Sequence, residues 1–395
     1  MSDRHHPLAA LSHFIHRHFL VLLIGCYVLA GLRPAAGLSL RKVAFGHVTV
    51  WGQTTHVSLP MVMLACLLLK AGLGVVPSQL KTLRQRPQVL VGGLGANLLV
   101  PLAFLFVVSL TMRLWHNPDE VQIILMGLAL VAAMPIAGSS TAWTQNANGD
   151  VALGLGLVLA STFLSPLTTS LTFVLGAQMT TGEYANALDA LQGSGTGFFL
   201  ILCVLLPSLL GMAARPVIGA GRLGSAQPLL KLVNSVNLLL LNYSNASVTL
   251  PQIVADPDWD FLAVTLAIVI ALCIVAFGSG WYFARFLRAD PAQRTALMFG
   301  LGMNNNGAGL VLASMALSDY PDVLLPMIFY NLVQHLVAGV VDYFITRSPC
   351  PSPSSPESAT NDCGRATLSE ASRTSSVSTP PQPLQQGPAC RRSAA

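Results

Sequence analysis

Apolar residues along this chain come in ten runs, each long enough to cross a bilayer at about 20 residues per membrane helix. They cover residues 14–32, 57–76, 88–112, 121–145, 151–177, 196–214, 229–248, 261–286, 295–317 and 323–346. The polar positions inside the runs are the informative ones. The ninth run is interrupted at Gly300–Gly309, GLGMNNNGAG, where Asn304, Asn305 and Asn306 stand in a row. An unpaired amide in hydrocarbon costs several kcal/mol, so these three side chains are not expected to face lipid. Glycines at 300, 302, 307 and 309 favour unwinding there. The fourth run carries a second interruption, Pro135–Asn146, PIAGSSTAWTQN. Pro135 has no N–H and Gly138 no Cβ, so the helical ladder is expected to open there too.

Composition places these runs in a membrane. Of 395 residues, 53% are hydrophobic and 9% charged, against about 25% charged in soluble domains. The net charge of +5 implies no nucleic-acid partner, because the basic residues sit in short loops and the tail. Lys81, Arg84 and Arg86, then Arg215, Arg222 and Lys231, then Arg285, Arg288 and Arg294 fall on one side of the predicted topology. Glu183, Asp189, Asp256, Asp258, Asp260, Asp319 and Asp322 fall on the other. The positive-inside rule then puts both termini in the cytoplasm of a multi-pass inner (plasma) membrane protein. Arg33, Arg41 and Lys42 run against the rule.

Ten spans with the fourth and ninth broken predict an all-α polytopic fold of two five-helix halves, residues 14–179 and 196–346. An odd number of helices per half, with both termini on one side, makes the halves inverted repeats. Residues 1–13 read as a cytoplasmic arm rich in histidine, and 347–395 as a disordered Ser/Pro-rich cytoplasmic tail. Enzymatic chemistry finds no support. There is no HExxH, no GxxxxGK[ST] and no carboxylate pair within the spans.

A helix broken at mid-membrane offers free N–H groups where it restarts and free carbonyls where it stops. Such ends suit an anionic group and a cation respectively. Ser140, Thr141, Thr144, Asn304, Asn305 and Asn306 would line the gap, unless they serve only as polar contacts between helices. Lys70 either snorkels to the cytoplasmic face or offers an ammonium to the cavity. His335 is a titratable or a hydrogen-bonded packing residue, and Asn97 is a further candidate ligand.

The block PIAGSSTAWTQNANGDVALGLGLVLASTFLSPLTT, the later GMNNNG, GLGV at 72–75, Pro101 and His335 together resemble the bile acid:sodium symporter family. The resemblance covers about residues 14–346. It implies a core domain holding two crossing broken helices, and a panel domain made of the first two helices of each half. It also implies a monomer that moves small organic anions by alternating access with sodium as coupling ion. Carried over position by position, it puts Ser140 in one sodium site, and Leu301, Met303 and Asn304 in the other. Thr141, Thr144, Asn305, Asn306, Lys70 and His335 are the candidate substrate-binding residues, of which the resemblance itself carries over Thr141, in place of a sodium-site asparagine, and His335, on a family histidine. Gly154 and Val158 fall where the family has hydroxyl ligands, and Gly300 where it has a glutamate shared by both ions. The chain therefore reads as a divergent member lacking that carboxylate. A proton-coupled or uncoupled carrier of the same fold, or a non-transporting membrane sensor, are the alternatives. An arsenite exporter is disfavoured because no cysteine lies between Cys66 and Cys203.

Overall fold

The structure, a computed structural model, describes residues 11, 14–15, 17–50, 53–76, 87–193 and 196–347. The tail beyond residue 347, most of the N-terminal arm, and Lys81, Arg84 and Arg86 lie outside the described residues.

Each apolar run folds as helix. The first is α1, Phe19–Leu32, after which the chain turns by 91° into the short α2, Ala35–Lys42. Then come α3, Leu59–Gly74, and α4, Pro87–Thr111. The fourth run is split into α5, Pro118–Ala133, and α6, Ser139–Asn146. It is followed by α7, Val151–Ala177, and by α8, Gly182–Gly193, which occupies the stretch between the halves. The sixth run is α9, Thr196–Phe199, a π-helical turn at Leu200–Leu205, and α10, Leu206–Ile218. Next come α11, Ala220–Ala255, and α12, Trp259–Phe286. The ninth run is split into α13, Pro291–Gly302, and α14, Asn306–Ala316, and the last is α15, Leu324–Arg347.

By length and apolarity, five of these stretches can cross a membrane unaided: 87–114, 151–177, 196–218, 259–286 and 321–347, with the bent α1–α2 pair as a sixth. The chain is a polytopic membrane protein, mostly helical. It is not all-α, and that expectation is corrected by residues 44–58. These form an antiparallel hairpin of β1, Ala44–Val50, and β2, Gln53–Ser58, with His47 opposite His56. Val48, Thr49, Val50, Thr54, Thr55 and Val57 supply the β-branched pattern that favours strands. The hairpin lies in a segment too short to stand out beside the apolar runs.

Two groups of helices pack along their lengths. In one, α3 lies along α10 and α1 along α11. Small residues set the α3–α10 spacing: a Cβ on Gly72 would sit 2.1 Å from the Ser208 carbonyl oxygen, and one on Gly211 2.2 Å from that of Leu69. The other group holds α4, α5, α7, α12, α13 and α15, with α5 buried from Ile124 to Ala133. One end of the bundle gathers the acidic loops. There His116 pairs with Asp260 at 3.2 Å, and Tyr320 Oη donates to Glu183 at 3.3 Å. At the opposite end the Asp150 amide donates to the Ala292 carbonyl at 2.9 Å, and Arg215 donates to the Leu73 carbonyl.

Candidate functional site

α5 runs inward from the acidic end and α13 from the opposite end. Their extended continuations meet. Ile136 and Asn304 pair as an antiparallel bridge. The Ala137 amide donates to the Met303 carbonyl, and the Asn305 amide to the Pro135 carbonyl, both at 2.8 Å. The chain thus replaces lost helical bonds with a two-stranded crossing. Side chains close the remaining ones. Ser161 Oγ of α7 accepts from the Ile136 amide at 3.1 Å, and Thr169 Oγ1 donates to the Ala133 carbonyl at 2.6 Å. Gln334 Oε1 of α15 accepts from the Asn304 amide at 3.0 Å and from Asn306 Nδ2 at 3.2 Å. A backbone break inside a membrane protein is tolerable only when its polar groups are satisfied in this way.

The breaks are shorter than the sequence implies. They span residues 134–138 and 303–305. Ser139–Asn146 is helix, so Thr141 and Thr144 are helical residues. Thr141 Oγ1 donates to the Gly138 carbonyl and Thr144 Oγ1 to that of Ser140, each at 2.8 Å. Thr144 is fully buried, and its side chain faces Gly149 and Gly154. Gly300 and Gly302 end α13, while Gly307 and Gly309 lie in α14, so none of these glycines is unwound.

The predicted residues divide. Asn305 caps α14, its side chain accepting from the Ala308 amide at 3.3 Å. Asn304 Nδ2 donates to the Val131 carbonyl at 3.0 Å. Three buried oxygens near the crossing have no donor: Ser140 Oγ, Asn304 Oδ1 and Asn306 Oδ1. Leu301 and Met303 are buried, the latter with its carbonyl already accepting from Ala137. Lys70 is half-buried on α3, next to Ala71, whose methyl lies 3.7 Å from where a Cβ on Gly138 would be. His335 is half-buried and packs its ring edge-on against Phe19, with centroids 5.6 Å apart. Asn97 borders a cavity of about 30 Å³ beside Pro135 and Ser161, and its buried Oδ1 has no partner.

The two sides of the crossing differ in polarity. A Cβ on Gly300 would lie 3.0 Å from Leu157 Cδ1. Leu157 is itself buried with Leu153, Leu297, Leu301 and Ile136. The space a carboxylate at position 300 would enter is hydrocarbon. On the other side, Asn304 Oδ1 and Asn306 Oδ1 are acceptors with nothing to accept.

Several polar groups at the crossing escape a reading of the sequence. Asn331 Nδ2 donates to Asn242 Oδ1 at 2.7 Å and to Tyr27 Oη at 2.8 Å. Gln334 Nε2 donates to Asn331 Oδ1 at 3.2 Å, so a chain of amides runs from α1 and α11 to the crossing. The signal was present as NYSNASVT at 242–249 and as the i, i+3 pair Asn331 and Gln334. His335 drew attention because it titrates, yet its neighbour Gln334 is the residue bonded to the break.

A model of the SBF-like CPA transporter family matches residues 17–347. The chain belongs to that family. The SBF-like assignment agrees with the resemblance to bile acid:sodium symporters and makes the chain a transporter-family protein rather than an enzyme. Among relatives in Bacillus subtilis (strain 168), the chain is 27% identical to Uncharacterized protein YbaS over 225 residues, 56% of this chain and 68% of that protein. It is 25% identical to Uncharacterized sodium-dependent transporter YocS over 287 residues, 70% of this chain and 81% of that protein.

Proposed function

We propose that this SBF-like protein is a secondary transporter that moves a small organic anion across the plasma membrane by alternating access. The carrying observation is the crossing itself. Two broken helices of opposite direction meet through paired backbone at 135–137 and 303–305, and three buried oxygens beside it lack donors. In this reading the chain has ten spans in two inverted halves, 14–179 and 196–346, with both termini cytoplasmic. The parallel placement of the split runs, fourth in one half and fourth in the other, supports it. Helices α1, α3, α10 and α11 form the panel, and the rest the core that carries the crossing. The amide ends of α6 and α14 would face the anionic group of the cargo.

Ser140 Oγ, Asn304 Oδ1 and Asn306 Oδ1 would hold a single monovalent cation, in keeping with the name of the sodium-dependent relative YocS. The hydrocarbon around Gly300 argues for one cation site rather than two. Neutral oxygens compensate dehydration poorly, so affinity should be low. The test is thermal stability of the purified protein with sodium titrated against potassium at fixed ionic strength. A cation bound only by the folded state adds about 2.7 kcal/mol at 100 times its Kd. A sodium-specific rise in Tm, abolished by Asn304→Ala and weakened by Ser140→Ala, is expected. Equal curves in the two salts would remove sodium from the mechanism.

A further inference from the structure

Arg41 runs against the charge rule because it does not sit in a solvated loop. Its carrier, α2, is pressed onto α11: Tyr243 Oη donates to the Arg33 carbonyl, and a Cβ on Gly37 would lie 2.2 Å from Ser247 Oγ. From that position Arg41 Nη1 donates to Asn245 Oδ1 at 2.9 Å, and Nη2 to the Ser314 carbonyl at 3.0 Å. Asn245 belongs to α11. Ser314 lies in the last turn of α14, the half-helix that begins at the crossing. The guanidinium therefore ties α11 of the first group to α14, which packs on α15 and α5 of the second, and sits at the negative end of the α14 dipole.

Its partners are all neutral. Arg41 is half-buried, and among the described residues no carboxylate pairs with it. Beside it, Asn245 Nδ2 is buried and has no acceptor, although the same amide's oxygen holds Arg41. A half-buried cation and an orphaned N–H donor, side by side, form a donor set without a charged acceptor. A guanidinium pairs best with a planar oxyanion through two parallel hydrogen bonds. The same seam is joined by Thr249 Oγ1 donating to the Pro321 carbonyl at 2.6 Å, and by Ser58 Oγ lying 3.8 Å from Met315 Sδ.

We propose that Arg41 is an anion-responsive latch. With no ligand it ties α11 to the end of α14 and keeps the acidic end of the bundle shut. A carboxylate or sulfate group entering from that end pairs with Arg41 and Asn245 Nδ2, displaces the Ser314 carbonyl, and lets the seam open. This rests on the transporter reading for its purpose, but its chemistry belongs to Arg41 and Asn245.

The seam supplies its own probe. In full-length protein carrying Ser58→Cys and Met315→Cys, held in maltoside micelles that contain no phosphate, the rate of cross-linking between the two positions reports closure. Sodium benzoate, succinate and sulfate are compared with chloride at equal ionic strength. At least one oxyanion is expected to slow cross-linking roughly tenfold, the size of one charge-assisted hydrogen bond. Arg41→Gln should cross-link slowly without any anion and show no further response. Asn245→Asp, which places a fixed carboxylate beside the guanidinium in competition with the Ser314 carbonyl, should likewise cross-link slowly without any anion and ignore added anions. This second variant keeps the test decisive if Arg41→Gln does not fold. The latch is overturned if none of the three anions acts on the parent, if Arg41→Gln keeps the anion response, or if Asn245→Asp behaves as the parent does. An anion response without flux in proteoliposomes would sink transport and leave the latch standing. Flux with an unresponsive seam would do the reverse.

Discussion

Glycine acts at the crossing through its size. A Cβ on Gly302 would fall 2.2 Å from Phe277 Cδ2, and that ring is held edge-on to Phe299, centroids 6.0 Å apart. Phe299 is in turn stacked on Trp143 at 6.1 Å. A ring wedged in this way cannot step aside, so Gly302→Ala should cost about 1–3 kcal/mol by overpacking. Adding Phe277→Leu should recover much of it, a coupling that a double-mutant cycle of Tm or denaturant midpoints would reveal. Gly309 offers the contrast. Its nearest atom would be Met327 Cε at 2.3 Å, the end of a flexible side chain. Gly309→Ala should therefore be the milder change. Asn331 is the polar counterpart. Its one amide nitrogen serves both Asn242 and Tyr27. Asn331→Leu would strand the buried Gln334 Nε2 donor and take a donor from Tyr27 Oη, which still donates to Asn242 Oδ1 at 3.2 Å, and should cost about 1–3 kcal/mol.

Among the elements, α7 is what makes the first break tolerable. Ser161 and Thr169 stand on the face that meets residues 133–136 and take up one amide and one carbonyl that α5 can no longer serve. That gives the STFLSPLTT stretch at 161–169 a physical role. Ser161→Ala and Thr169→Val should each lower stability by about 1–3 kcal/mol, because each strands a buried backbone group. Ser165→Ala is the control. Its hydroxyl only bonds back to the Thr162 carbonyl of its own helix, and its loss should be nearly neutral. Unfolding in mixed micelles would rank the three. An equal effect for all would show that α7 packs against the break without supporting it.

At the scale of the whole molecule, the two groups of helices share one apolar core, in which Leu23, Leu64 and Leu241 lie with Leu128, Phe173 and Ile328, and side-chain hydrogen bonds add to it. Arg41, Thr249 and Asn331 all reach across, from different elements. The expected outcome is saturable anion flux in proteoliposomes made from the full chain, strongly reduced by Gln334→Leu. That substitution leaves the Asn304 amide without its acceptor. Full flux in this variant would mean that the amide chain from Tyr27 to Asn304 is structural only. Binding without flux in the parent would favour a sensor.

The sequence by itself determined where the chain crosses hydrophobic surroundings, and that the fourth and ninth runs are broken. Both facts are one-dimensional: apolar length sets a span, and Pro135 or a row of asparagines cannot continue one unaided. Ser140, Asn304 and Asn306 stand out in the sequence as candidates by residue type and position alone; that their side-chain oxygens are buried and unpartnered is a matter of packing. The sequence did not determine how the breaks are closed. Neighbours on a helix differ by about 100° in direction, so Gln334 reaches the crossing while His335 meets Phe19. No spacing in the sequence shows which of the two will do so. Arg41 and Ser314 are 273 residues apart, and Asn242 and Asn331 are 89 apart. Only the packing of α2, α14 and α15 on α11 brings those groups within hydrogen-bonding distance. The hydrocarbon around Gly300 was decided the same way, by Ile136, Leu153 and Leu157, which lie far from it in sequence.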